Sequence, residues 1–399
     1  MKKKSLGDIL FAALFVGLLL AVMLSAVLRE KGTVSYYENR TLAQRPALTA
    51  AGVLSGSYFS ALDSYLSDQA PLRGTISKLS TWADIYLLCR PVVNNIVVSK
   101  DMLLAYTTFE ALDAEEVTAK AESMADSLSA LRDLVTGYGG YFCHVAVPGQ
   151  GAYYSDRYPD YVNSRADYYA VEREAFSAAM ARRGVDLLDI GDVFEAMGNP
   201  EDYYSPVDHH YTYYGAFAAY QAMMEHINET TGYDLHIYSD ADFSFEEVEG
   251  FRYMGSRLRP LFGLVDLNET LMIGAPEEDI PFTRYDGGVE VEPVVFNLQP
   301  DSMGNLSYTI YMGGDIPELC IDTNRPELPT ILIYGDSYTN AVETLLYTGF
   351  DKLYSIDLRY YHELSLAEYI AQVQPDIVLC IRDYSVLLSS EGNGTVFPN

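Results

Sequence analysis

The stretch Ile331-Leu332-Ile333-Tyr334-Gly335-Asp336-Ser337 decides the fold class of this 399-residue chain. Residues 331–334 are apolar without alternation, which marks a strand buried on both faces, as in a parallel sheet covered by helices. A glycine and an acid-serine pair follow, and 340–346 reads as a helix. Asn340 and Glu343, three residues apart, read as a capping pair for that helix. At the carboxyl end of such a strand the next helix presents its N-terminus. Backbone N–H groups there can stabilise an oxyanion. Ligands of open α/β sheets also collect at this end of the strands. Ser337 is therefore a candidate nucleophile. The alternative is that Asp336 or Ser337 merely caps the helix.

Outward from this stretch the pattern alternates. Strands are predicted over 141–147, 185–190, 330–334, 352–356 and 376–381. Helices are predicted over 115–135, 168–183, 213–227, 340–346 and 364–373. Alternation of this kind implies an α/β fold with a parallel sheet and flanking helices. Before it, 93–98 reads as a strand. Residues 58–88 have helical spacing, with Tyr58, Leu62, Tyr65 and Leu66 on one face. Asp68-Gln69-Ala70-Pro71-Leu72-Arg73 interrupts that helix at its proline. From about 240 to 318 the rhythm breaks into acidic, Gly- and Pro-containing sequence with short alternating runs at 289–296 and 306–311. That segment reads as a β-rich insertion packed beside the main sheet.

The N-terminus has its own logic. Lys2, Lys3 and Lys4 precede an uncharged run from Ile9 to Leu28. About 20 apolar residues suffice to span a bilayer. The lysines assign the N-terminus to the cytoplasm and everything after Leu28 to the outside. The expected organisation is a cytoplasmic tail over 1–8, a transmembrane anchor over 9–28, a membrane-proximal stalk and helices over 29–91, and the α/β domain over 92–399. A cleaved signal peptide is the alternative, although its apolar region is usually about 7–15 residues and ends in an A-x-A-like site.

Composition narrows the class of partner. The formal net charge of -30 argues against nucleic acid or an anionic membrane surface as a partner. The 34 tyrosines suit sugar-contacting clefts, and equally the sheet and surface of an acidic protein. Cys89, Cys143, Cys320 and Cys380 show no metal-binding spacing. They read as free thiols in preference to disulfides, with Cys143 and Cys380 in the core.

The second chemical segment is Asp208-His209-His210-Tyr211. In an extended segment alternate side chains share a face. Asp208 and His210 then point into one cleft while His209 points elsewhere. A carboxylate fixing the imidazole tautomer, with the free nitrogen taking the proton of Ser337, completes a serine-nucleophile site. The alternative is a structural Asp-His pair.

The run Asp208-His209-His210-Tyr211-Thr212-Tyr213-Tyr214-Gly215-Ala216 resembles the signature of the Asp-His-His-Trp (DHHW) family of bacterial surface proteins. That family is similar to the SGNH-like alginate O-acetylation proteins, which carry an Asp-x-His-Trp-Thr-x-x-Gly motif upstream of the serine. The order Asp, His, then Ser reverses that of ordinary GDSL hydrolases, and this chain shares the reversed order. Glu38-Asn39-Arg40 with Leu42 and Pro46, the segment 68–73, and Gly335-Asp336-Ser337-Tyr338 are similar to further blocks of the family. Tyr211 stands where the family name expects tryptophan, and its packing role is expected to survive. No Gly-x-Asn-Asp segment supplies oxyanion donors. Backbone N–H groups near Ser337, or Arg382 in Ile381-Arg382-Asp383-Tyr384, are substitutes, with a surface ion pair as the alternative for Arg382. Tyr338, Tyr211 and His209 complete the candidates for substrate or oxyanion contact.

The resemblance implies an SGNH/GDSL-hydrolase-like α/β domain, outside the membrane, that performs O-acyl chemistry on a cell-surface polysaccharide. Ser337 would be the nucleophile, His210 the base and acid, and Asp208 the orienting group. No metal or cofactor is needed. The partners implied are a polysaccharide or acylated donor and a membrane-bound O-acyltransferase. The alternative class is a non-catalytic glycan-binding or assembly protein of the cell envelope that keeps the fold.

Overall fold

The computed structural model describes residues 6–28, 31–106, 113–161, 166–267 and 269–389. Lys2, Lys3 and Lys4 lie outside them. Two compact units are present: residues 1–94 with 258–265, and residues 95–257 with 266–399.

The first unit holds helices α1 (Leu6–Leu28), α2 (Ala50–Ser55), α3 (Ser57–Asp68) and α4 (Arg73–Tyr86). Among the described residues no helix is long and apolar enough to cross a membrane, so the anchor over 9–28 rests on the sequence alone. Thr49 caps α2 by accepting the Gly52 N–H. The predicted break falls between α3 and α4, at Gln69–Leu72. The segment before α2 is not simply extended. A short antiparallel pair joins Val34–Ser35 to Arg40–Thr41. Asp68 accepts two hydrogen bonds from Arg40, at 2.8 and 2.6 Å, and one from the Ala43 N–H at 2.8 Å. The blocks at 38–40 and 68–73 therefore lock onto each other. The strand expected over 93–98 is interrupted at Asn94 and Asn95, whose φ values of 49° and 61° are left-handed.

The second unit is built on one eight-stranded sheet. In chain order its strands are β1 (Tyr141–Val147), β2 (Asp186–Asp189), β3 (Thr283–Asp286), β4 (Val289–Val291), β5 (Glu318–Asp322), β6 (Ile331–Gly335), β7 (Lys352–Ile356) and β8 (Ile377–Asp383). The spatial order is β4-β3-β5-β7-β6-β8-β1-β2. The five strands from β7 to β2 are parallel, as expected. The other three are antiparallel and extend the sheet beyond β7. The insertion thus contributes to the main sheet and does not merely lie beside it. Only 289–291 of the expected run 289–296 is strand. Of 306–311, residues 308–310 form a short 3-10 helix.

Both faces of the central parallel strands are covered, which is why β6 and the first five residues of β8 are apolar without alternation. Helices α5 (Ala114–Gly137), α6 (Ala166–Arg183) and α10 (Leu366–Val373) pack on Phe142, Leu332, Tyr334 and Val378. The alternate residues Cys143, Ile331, Ile333 and Leu379 are also buried. Helices α7 (Ile190–Met197), α8 (Tyr213–Thr231) and α9 (Thr339–Leu346) complete the unit. Gly335 ends β6 opposite Ile381 of β8. A Cβ on Gly335 would stand 1.9 Å from the Ile381 carbonyl oxygen, so only glycine lets the two strands run this close. The register puts Gly335, Asp383 and Val147 at the same carboxyl edge of the sheet, and the candidate serine follows there.

Candidate active site

The Asp-His segment sits in a folded-back loop. Tyr204 and Tyr211 pair across an isolated antiparallel bridge, and the Ser205 N–H donates to the His210 carbonyl at 3.2 Å. Ser205 Oγ accepts the N–H groups of Val207 and Asp208, at 3.2 and 2.9 Å. From β1's exit, the Gln150 amide donates to the carbonyls of Ser205 and Asp208, at 2.8 and 2.6 Å. Residues 254–256 pass hard against the loop. A Cβ on Gly255 would lie 2.3 Å from the Val207 carbonyl oxygen, so glycine is what allows the neighbouring Ser256 N–H to reach Asp208.

Asp208 is buried and surrounded by donors. Its Oδ1 accepts from the N–H groups of His209 (2.7 Å) and His210 (3.2 Å) and lies 2.6 Å from His210 Nδ1. Its Oδ2 accepts the Ser256 N–H at 2.6 Å. Burial opposes ionisation. The facing His210 imidazole with its hydrogen bond, His209 and the Ser256 N–H outweigh it and hold Asp208 well below the usual carboxylate range. Asp208 and His210 come together as expected, but not through strand alternation. In a loop that folds back, His209 does not point away. It lines the cleft beside Ser337, its ring centroid is 3.7 Å from that of His210, and its Nδ1 is 2.8 Å from Ser256 Oγ. Although 38% of its side-chain surface is open, loss of solvation, and then the neighbouring His210 and the charges of Arg257 and Arg359, outweigh the opposing charge of Asp208 and push His209 down.

The other nitrogen of His210 meets the serine. Nε2 lies 2.7 Å from Ser337 Oγ. The ring is stacked on Tyr308, and Tyr338 flanks it at 5.0 Å. Tyr338 is held at both ends. Its hydroxyl donates to the His209 carbonyl at 2.6 Å, and its own carbonyl accepts the Tyr211 hydroxyl. Tyr211 is buried edge-on against Tyr338, so the packing role expected of an aromatic at this position is kept.

Asp336 fixes the turn that carries Ser337. It accepts the Tyr338 N–H and the Asp383 N–H, each at 3.0 Å. The expected capping pair is not used. The residue before α9 is Tyr338, and no side chain caps it. Asn340 donates instead to Asp315 at 3.1 Å, and Glu343 accepts from Ser355 at 2.7 Å. Tertiary partners on other elements have claimed both residues.

A cleft of about 260 Å³ opens beside Ser337. Its wall includes Gly149, Gln150, Tyr158, Arg257, Arg359 and Asp383, together with His209 and Tyr338. Arg382 is placed differently from both expectations. It is 3% exposed, lies within β8 and stands 3.8 Å from Asp336 Oδ2, so it is neither a surface ion pair nor part of the cleft wall. Its neighbour Asp383 faces the cleft, and burial followed by the charge of Asp336 pushes its carboxyl up to about 6. Arg257 and Arg359 were not singled out by the motifs. Arg359 is paired with Asp357 and, at 3.1 Å, with Asp315. The sequence signal available for the 149–151 wall is Pro148-Gly149, directly after the predicted strand 141–147.

Two groups of metal-type ligand atoms lie within 4.8 Å among the described residues: Asp208 with His209 and His210, and Cys143 with Asp186 and His226. In the first, both His210 nitrogens are engaged, one by Asp208 and one by Ser337. In the second, Asp186 is bonded to His226 at 2.9 Å and also to the Tyr141 hydroxyl. All four cysteines are free.

Comparison with known proteins agrees with this architecture. Residues 98–283 match the family described as the SGNH hydrolase-like domain of the acetyltransferase AlgX. That region contains Asp208 and His210, and Ser337 lies beyond it. No curated protein matches the chain. The fold is similar to that of Bacillus cereus PatB1 in a structure with a sulfonyl adduct, at TM-score 0.62 and 21% identity, over 73% of this chain and 95% of that one. It is also similar to a DHHW family protein from Eubacterium siraeum, at TM-score 0.55 and 19% identity, over 77% and 97% of the two chains. The resemblance read from the motifs therefore holds: residues 98–283 are similar to the SGNH hydrolase-like domain of an acetyltransferase, and the chain shares its fold with a DHHW family protein.

Proposed function

We propose that the chain is a serine-dependent O-acyltransferase or esterase acting on a cell-surface polysaccharide. The observation that carries the reading is the line Asp208–His210–Ser337, with contacts of 2.6 and 2.7 Å at the two imidazole nitrogens. The ionised Asp208 holds a proton on Nδ1, which leaves Nε2 free to accept one. Ser337 Oγ attacks the acyl carbonyl and His210 takes the hydroxyl proton. Collapse of the tetrahedral intermediate passes that proton to the leaving oxygen and leaves the acyl group on Ser337. A glycan hydroxyl or water, deprotonated by His210, then attacks the acyl-serine, and Oγ recovers its proton. These steps are complete without a metal or cofactor. Acyl transfer is supported by the match to an acetyltransferase's SGNH hydrolase-like domain, and the polysaccharide by the motif resemblance to alginate O-acetylation proteins. The anchor over 9–28, the exterior location and a membrane-bound acyltransferase as donor are supported by the apolar N-terminal run and by the resemblance.

The test uses a sulfonyl fluoride and p-nitrophenyl acetate. Mass spectrometry should find the sulfonyl group on the Ser337 peptide, and ester hydrolysis should be lost in Ser337→Ala and His210→Ala with unfolding temperatures unchanged. A labelled protein with undiminished hydrolysis in either variant removes that residue from the mechanism. No labelling and no hydrolysis in the wild type returns the chain to a glycan-binding role.

A further inference from the structure

A cation stands in the cleft beside Ser337 without a counter-charge. Arg257 lines that cleft and is partly buried. Its Nε is closed off from solvent and has no hydrogen-bond partner, and among the described residues no carboxylate pairs with its guanidinium. No other partly or fully buried arginine among the described residues is left this way. Six of them face a carboxylate, and three donate to carbonyl, amide or hydroxyl oxygens. The chain holds 56 aspartates and glutamates against 26 lysines and arginines. In so acidic a protein, a cation that finds no acid is held away from one by the fold. A polar group taken out of water without a partner costs free energy, and a ligand that supplies the partner recovers it.

The fold also fixes this residue to the Asp-His segment. The Ser256 N–H donates to Asp208 at 2.6 Å, and the next N–H along, that of Arg257, donates to the Val207 carbonyl at 3.0 Å. Arg257 is thus tied by its backbone to the loop that carries Asp208 and His210. Its charge is felt inside the site: after loss of solvation and the neighbouring His210, Arg257 and Arg359 both push His209 down. The other charged groups of the cleft wall are already engaged. Arg359 pairs with Asp357 and Asp315. Asp336 accepts the N–H groups of Tyr338 and Asp383, and Asp383 accepts the Ser385 N–H at 2.6 Å.

Guanidinium chemistry names the ligand. The planar fork of an arginine matches a carboxylate or a phosphate through two parallel N–H···O bonds. The field of the whole chain limits how much charge that ligand carries. At a net charge of -30 the protein repels a densely charged polyanion, whereas a single anionic group seated on the unpaired guanidinium is attracted locally. We propose that Arg257 is the specificity residue of the cleft: it binds one anionic substituent, a carboxylate or a phosphate, on an otherwise neutral glycan unit, and so turns a hydroxyl of that unit towards the acyl group on Ser337. This rests on the serine reading given above and deepens it by naming the chemistry of the acceptor.

The test gives the full chain p-nitrophenyl acetate as acyl donor and, separately, methyl glucoside, methyl glucuronoside and methyl glucoside 6-phosphate as acceptors, with acetylated glycoside measured by mass spectrometry. At least one charged acceptor should show a KM lower than that of methyl glucoside by about tenfold or more, with a similar kcat. Whichever acceptor does so tells a carboxylate subsite from a phosphate subsite. In Arg257→Gln the ratio should fall to within about twofold of unity, and Arg257→Lys should keep part of it. Because the ratio is read within each protein, a loss common to all acceptors cancels. A preference that survives Arg257→Gln overturns the proposal. The same three glycosides are titrated calorimetrically into Ser337→Ala and into Ser337→Ala/Arg257→Gln, which reads the subsite without the chemistry. Tighter binding of a charged glycoside that the second substitution removes supports the subsite even where the wild type shows no ester hydrolysis, a result that would count against the serine reading alone. Absence of any preference among the three, in transfer and in binding alike, overturns the proposal.

Discussion

The imidazole of His210 lies flat on the ring of Tyr308, with centroids 3.6 Å apart and 4° between the planes. Tyr308 comes from a segment that the sequence pattern places in an insertion, yet it sets the plane of the proposed base. The Asp208 contact fixes one end of the imidazole, and the stack prevents rotation about that contact. Tyr308→Phe keeps the stacking surface and should retain hydrolysis within about twofold. Tyr308→Ala removes it and should lower kcat by about 10- to 100-fold with little change in KM, since misplacement of a catalytic group by about 1 Å costs on this order. Steady-state kinetics on p-nitrophenyl acetate distinguishes the two, and equal loss in both variants would refute an orienting role for the stack.

The four contacts on the Asp208 carboxylate make an ionised acid the required occupant. Asparagine at this position presents an N–H₂ either to the Ser256 N–H or to the His209 and His210 N–H groups. It also stabilises the wrong imidazole tautomer. Asp208→Asn should reduce kcat by about 10²- to 10⁴-fold. Labelling of Ser337 by a sulfonyl fluoride should slow by a comparable factor. Full activity in a folded Asp208→Asn protein would show that the carboxylate is structural only.

Much of the parallel sheet was legible because its strands are buried on both faces, so that Ile331-Leu332-Ile333 reads as core from any direction. The antiparallel extension was not. Three of the four residues of Thr283–Asp286 are polar, and its anchor is a buried arginine. Arg284 bonds Asp286 at 2.8 Å and the carbonyls of Val294 and Met312 at 2.6 and 2.7 Å, a role that hydrophobic patterning cannot reveal. The site divides in the same way. Asp208, His210 and Ser337 have the right chemistry and could be named from their own segments. Tyr308, Gln150, Ser256 and Arg257 act through contacts across long sequence separations. Asn340 and Glu343 satisfied a local rule, but distant partners outcompeted it.

Gln150 should be a determinant of the loop's position. Its amide donates to the carbonyls of Ser205 and Asp208. Gln150→Ala leaves both acceptors without it, at a cost of about 1–3 kcal/mol for each group left buried and unpaired. Gln150→Glu sets a carboxylate against two carbonyl oxygens and should be the worse substitution. Urea unfolding should show a lower midpoint in both variants, ordered Gln above Ala above Glu. An unchanged midpoint in Gln150→Ala would mean that the loop is held by Ser205 and the Tyr204–Tyr211 bridge alone.

Glu269 introduces a pH dependence whose sign can be worked out. Its carboxyl accepts from Ser205 Oγ, the same oxygen that receives the Val207 and Asp208 N–H groups. Burial raises its pKa to about 8. The Ser205 hydrogen bond opposes that shift, and the nearby charge of Asp208 adds to it. An unfolded glutamate titrates near about 4.3. Between these values the folded chain keeps a proton that the unfolded chain has released, so this group's contribution to stability falls as pH rises through the interval and levels off above about 8. Glu269→Gln places a neutral side chain of the same shape and leaves an acceptor for Ser205. The variant should match the wild type near pH 5 and unfold at a higher temperature by pH 8.5. Differential scanning calorimetry of both proteins from pH 5 to pH 9 measures this directly, because titrations common to the two chains cancel in the difference. A gap in unfolding temperature that stays constant across the range would show that Glu269 does not hold its proton in the folded protein.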